Sequence, residues 1–117
     1  MQLKEYKLSY QNTLYYEAFK AHIAPRSWPT YKVDVGAFLE EIGTYDFVMV
    51  TPTRIQRYAV ARRPVHQREQ SVIHLRSMMS FLVQNDVCGA REKVRKEMVI
   101  WLLQRPRSYY KQMRLEV

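Results

Sequence analysis

The reactive side chains of this 117-residue sequence are few. Its histidines, His22, His66 and His74, never stand four apart as a helical metal site requires, and the single cysteine, Cys88, leaves neither a disulfide framework nor a multi-cysteine zinc site. Cys88 next to Gly89, with His66 or His74 as base, is the one thiol-nucleophile arrangement on offer, and a lone loop cysteine is ordinarily inert. There is no glycine-rich phosphate loop, and Asp34, Glu40 and Glu41 read as the solvated face of a helix rather than as a general base. The expectation is no enzyme, no metal, no cofactor and no small-molecule substrate.

A second group points to recognition instead. Gln67, Gln70, His74 and Ser77 recur at i, i+3, i+7 and i+10, which places them on one stripe of a helix. These are types that read base edges, glutamine pairing with adenine in a bidentate way and histidine and serine donating or accepting. The stripe begins at a cationic turn, Arg62, Arg63, His66 and Arg68, with Arg57 before it and Arg76 after it. Cations that hold the phosphate backbone beside neutral polar groups that read bases are the division of labour a groove-binding helix requires.

Charge supports that grouping. Residues 51–76 carry six basic and one acidic residue, giving +5, whereas residues 26–50 carry two and four, giving −2. Residues 1–25 contribute +1 and 77–117 contribute +4, which returns the total of +8. A basic surface confined to part of a small domain is the footprint of polyanion binding, because phosphate contacts release counterions. With 47% hydrophobic residues, three Gly and five Pro, the chain is neither disordered nor loop-dominated. No apolar run approaches a bilayer span, so a soluble cytoplasmic protein of a bacterial or phage-infected cell is expected.

The elements that must position these residues are helical almost throughout. Tyr15, Ala18, Phe19 and Ile23 predict a first helix over 11–23, closed by Ala24 and Pro25. Thr30 or Ser27 caps a second over 30–42, stopped by Gly43. Phe47 to Val50 reads as a buried connector, since no partner strand is evident. Thr51 and Pro52 start a third helix over 52–61, ended by Arg62-Arg63-Pro64. Val72, Leu75, Met79 and Leu82 give a fourth over 67–84, and Val94, Met98, Trp101 and Leu102 a fifth over 90–105. The expected architecture is all-α, a compact bundle of about five helices in one domain over 1–105, with 106–117 a basic tail or frayed extension.

Three pieces of the chain resemble the N-terminal core-binding domain, a SAM-like helical bundle, of tyrosine recombinases and phage integrases. They are Thr30-Tyr31 through Phe38, the helix start Thr51-Pro52-Thr53-Arg54-Ile55-Gln56-Arg57-Tyr58, and Leu75-Arg76-Ser77-Met78-Met79-Ser80-Phe81-Leu82, similar to that family's Leu-Arg-x-Phe-Phe helix. The resemblance covers roughly residues 10–88. It implies a domain that clamps one face of duplex DNA, with Gln67, Gln70 and Ser71 where the fourth helix meets DNA and Thr30 where a capping hydroxyl sits near phosphate. Gln67 replaces the family's usual Thr, Arg68 an apolar residue, and Glu69 places an acid on that face. The family's catalytic domain has no room in this length, so Tyr109 and Tyr110 are not read as its nucleophile. The leading expectation is sequence-dependent, non-catalytic binding of double-stranded DNA, as a recombinase fragment or a stand-alone regulator of a phage or mobile element. The alternative is a protein-interaction module. It would use the fifth helix, with Val99, Ile100 and Leu103 at the interface, to dock on a second copy, a full-length recombinase or another phage regulator. Glu69 favours that alternative.

Overall fold

The hydroxyl predicted to cap at Thr51 accepts a hydrogen bond from the Arg54 amide in the computed structural model, which describes residues 5–94. Pro52 sits in the first turn that follows, where its fixed φ suits a helix and its missing N–H is not needed. The same local logic sets most element ends. Helix α1 spans Tyr10–His22, with Ser9 accepting from the Asn12 amide. Helix α2 spans Trp28–Ile42, two residues earlier than predicted, because Pro29 fits the opening turn. Ser27 takes the cap position without a side-chain bond, and Thr30 is an exposed residue inside the helix rather than its cap. Gly43, at φ +62, ends α2 in the positive-φ half of backbone space that glycine enters freely.

Helix α3 spans Pro52–Arg62 and α4 spans Val65–Gln84. Only Arg63 and Pro64 separate them: Arg63 is extended, as a residue before proline prefers, and Pro64 leads straight into α4. Phe47–Met49 forms a 3-10 turn with Phe47, Val48 and Val50 buried, so the apolar run is indeed a connector. Helix α5 covers Ala90–Lys93, with Val94 extended after it. That corrects the helix predicted over 90–105 at Val94, which ends α5 instead of continuing it; residues 95–105 and the tail at 106–117 lie outside the described residues. No strand occurs among the described residues, and the fold is an all-α bundle.

Helix α4 runs through the middle of this bundle and packs against α1, α2, α3 and α5. Its buried residues run from Ser71 to Val83 and include His74, Leu75, Met78, Met79 and Leu82. At 100° per residue they span an arc of roughly 180°, almost twice the stripe of a helix that faces a core on one side only. Around it, Phe38 sets its ring edge-on to Phe47 and Tyr58, at 5.9 and 5.3 Å between centroids. Phe19 does the same with Trp28 and Tyr31.

Asn12 is fully buried on α1 and holds the loop after α2. Its Nδ2 donates to the carbonyls of Gly43 and Tyr45 at 3.2 and 2.9 Å, and its Oδ1 accepts from the Phe47 amide at 3.0 Å. The non-helical residues 5–9 form a strap along α2: the Lys7 amide donates to Glu40, and the Tyr6 ring packs against Gly36. A Cβ at position 36 would overlap that ring. Gly36→Ala is therefore expected to expel Tyr6 while leaving the helices in place, at a cost of about 1 kcal/mol. Faster tryptic cleavage after Lys7 with an unchanged helical circular dichroism spectrum would report it; unchanged cleavage would mean that the ring is not seated there.

Candidate nucleic-acid interface

Four side chains, from α3, from α4 and from the residue that follows α3, converge on one carboxylate of α2 at the junction of the three helices. Asp34, predicted to face solvent, is only 4% exposed. Its Oδ1 accepts from Ser71 Oγ at 2.8 Å, from Arg63 Nη2 and Nε at 2.9 and 3.1 Å, and from the Tyr58 hydroxyl at 3.2 Å. Its Oδ2 meets His74 Nδ1 at 2.8 Å. Burial alone would raise the Asp34 carboxyl. The hydrogen bonds from His74 and Ser71 and the Arg63 guanidinium outweigh it and hold the group below the ordinary carboxylate value. With Asp34 ionised, the hydrogen between it and His74 resides on Nδ1. Tyr58 is pushed up to about 12, first by burial and then by the Asp34 charge. The cluster is an acceptor saturated by donors, and it is structural.

This convergence corrects two of the expected DNA contacts, His74 of the reading stripe and Ser71, which the family resemblance implied. Ser71 and His74 are buried and spend their polar atoms on Asp34, so neither presents an edge to a base. The reason is the wide buried arc of α4: a polar face assigned from periodicity assumes one packed side, and this helix has more than one. The Tyr31 ring lies against His74, 4.6 Å between centroids, and covers it further. Ser77 is half-buried.

The cations divide in the same way. Arg63 is committed to Asp34, with its side chain 21% exposed. Arg62 pairs with Glu41 of α2, its Nε 2.9 Å from Oε1. Arg68 lies back along the chain and donates from Nε to the Arg63 carbonyl at 3.0 Å and from Nη2 to that of Val60 at 3.5 Å. Arg76 is half-buried. Of the predicted set, Thr30, Arg57, Arg62, His66, Gln67 and Gln70 stay exposed, Arg62 in its pair with Glu41. Arg57 meets no carboxylate among the described residues. Arg54, one turn before it, is an exposed cation that the sequence reading did not single out; its guanidinium lies 5.2 Å from the centroid of the Tyr45 ring. A three-residue interval on a helix beginning at Pro52 was enough to pair Arg54 with Arg57 on the outer face.

The start of α4 supplies a further donor group. Pro64 at its cap position carries no side-chain acceptor, and no acidic residue stands in the first turn. The Gln67 amide bonds the Pro64 carbonyl, which leaves those of Val65 and His66 without a carbonyl partner inside the helix. Val65, His66 and Gln67 are exposed there, Val65 at 76%. An open helix N-terminus of this kind, backed by 20 residues of aligned peptide dipoles, favours anions.

Between α2 and this corner lies a cleft of about 360 Å³, lined by Tyr6, Glu40, Glu41, Tyr58, Arg62 and Arg63 among others. Its charged groups are already paired within the chain. Cys88 is exposed at φ +52, and no group of three or more His, Cys, Asp or Glu that could hold a metal occurs among the described residues. No helix among them is long and apolar enough to cross a membrane. Val99, Ile100 and Leu103, expected at a protein interface, lie outside the described residues. No family model, curated protein or solved structure matches the chain.

Proposed function

We propose that this chain binds double-stranded DNA without cutting it, through the corner between α3 and α4, in the manner of the SAM-like core-binding domains of the tyrosine recombinases that its sequence resembles. The observation that carries this reading is the open N-terminus of α4, whose first turn holds no acidic residue, with His66, Gln67 and Gln70 exposed beside the half-buried Glu69, and with Arg54 and Arg57 exposed on α3. Phosphate oxygens are met by the free amides and by the two arginines. Gln67 and Gln70, three apart and so neighbours on the helix surface, read base edges. The proposal differs from the sequence expectation in its cast, since Ser71 and His74 act beneath the surface and Arg62 and Arg63 chiefly hold it in place.

Fluorescence anisotropy with a labelled duplex tests it. Affinity is expected to fall steeply between 50 and 200 mM salt, as about one counterion is released per phosphate neutralised. Affinity that stays constant over that range overturns the proposal. Arg57→Ala should weaken all duplexes about equally and reduce the slope of log affinity against log salt by about 1, whereas Gln70→Ala should relax sequence preference and leave the slope alone. Both residues are exposed, so neither change is expected to alter the melting temperature.

A further inference from the structure

We infer that Asp34 is the positioning residue of the DNA-contacting corner: by clamping Arg63 it fixes the geometry from which His66, Gln67 and Gln70 approach bases. The inference rests on the DNA-binding reading and deepens it. Two guanidiniums lock the corner backbone in series. Arg63 reaches away from the surface to Asp34 on α2, using both Nε and Nη2, while its own carbonyl receives Arg68 Nε from the first turn of α4. Because the lock runs from α2 through residue 63 to residue 68, it spans the two-residue connection and ties the direction of α4 to the rest of the bundle. Ser71 and His74 add two further bonds from α4 to the same carboxylate, one and two turns along.

A connection of two residues has few torsions to restrain, but an unrestrained error there swings the whole start of α4. Base reading needs side chains held to a fraction of an ångström, whereas phosphate contact tolerates more. Loss of the clamp should therefore degrade discrimination rather than attraction. Simple electrostatics predicts a different outcome, since removing a negative charge beside cations would tighten binding to any duplex.

The experiment uses the full chain with Asp34→Asn, which keeps the side chain's shape. Two duplexes are compared: one selected by the wild type from a random pool, and one of scrambled sequence. Affinity for the scrambled duplex is expected to hold or rise, and the preference for the selected duplex to drop at least tenfold; a preference kept within twofold overturns the inference. In the free protein, backbone amides 67–70 should exchange with solvent at least tenfold faster while those of α1 do not change. Equal acceleration in all helices would mean general loosening and would also overturn it. Should Asp34→Asn fail to fold, Arg63→Gln breaks the same clamp from the other side. A plain phosphate contact would lower both affinities equally, whereas a clamp lowers the selected one further. If the wild type binds no duplex at all, the proposed function falls, and the exchange pattern at 67–70 alone decides whether Asp34 sets the corner.

Discussion

Asp34→Ala is expected to destabilise the bundle by about 3 kcal/mol, a loss of roughly 10–20 °C in melting temperature for a domain of this size. The alanine leaves the donors of Tyr58, Ser71 and His74 in a dry junction without an acceptor and Arg63 without its counter-charge. Removing one partner of a buried ion pair costs about 3–5 kcal/mol, and the lower end applies because Arg63 retains an edge on the solvent-filled cleft, to which it can turn. Urea unfolding followed by circular dichroism measures the difference. A loss under about 1 kcal/mol would mean that the cluster adds nothing beyond what water replaces.

The same carboxylate makes stability depend on acid. Its value in the folded protein lies below the ordinary 3.8, so the native state binds this proton less readily than the unfolded chain does. The stabilisation is complete above 3.8 and is lost as the pH falls through the lower folded value. Asp34→Asn should accordingly flatten the decline of stability in this acid range. A decline as steep as in the wild type would assign it to other carboxylates.

Asn12→Asp is expected to cost about 3 kcal/mol or more at neutral pH, although it changes no more than one atom type. The amide nitrogen that donates to Gly43 and Tyr45 becomes an oxygen facing their two carbonyl oxygens, in a site with no solvent exposure. Only the bond from the Phe47 amide survives. The introduced carboxyl relieves the conflict by keeping its proton, so its value in the folded state is raised. The deficit relative to wild type should therefore shrink as the pH falls toward about 4, where the unfolded chain also binds that proton. Paired unfolding curves at pH 7 and pH 4 test this; a deficit that is equal at both values would mean that the loop has moved away from the side chain.

These two residues also mark where reading the sequence stops. Element ends were legible because their causes are local: the Thr51 hydroxyl and Pro52 act within four residues, Arg63 is extended because Pro64 follows it, and Gly43 ends its own helix. The core faces of α1, α2 and α4 were legible for a similar reason, since Phe19, Phe38 and Leu75 keep a helical period. Asp34 and Asn12 were not. An aspartate on a helix is ordinarily solvated, and only donors 24 to 40 positions away in the chain make its burial tolerable. Asn12 likewise depends on carbonyls 31 and 33 residues on. The misplaced half of the reading stripe has the same origin. His74 follows the period of Gln67 and Gln70, and Ser71 stands one turn after Gln67, but both lie far enough along α4 for α2 to cover them, whereas the two glutamines lie nearer the open end of the helix.

The acid-rich stretch at 26–50 and the base-rich stretch at 51–76 looked, on the page, like opposite poles; folded, they are partly an internal neutralisation, Glu41 against Arg62 and Asp34 against Arg63. The inner pair is shielded from mobile ions far more than the arginines on the outer face of α3. On the proposed reading, ionic strength would then work as a throttle on grip alone: a rinse strong enough to strip the protein from its duplex would leave the reading head in its set shape, ready to engage again when the salt is withdrawn.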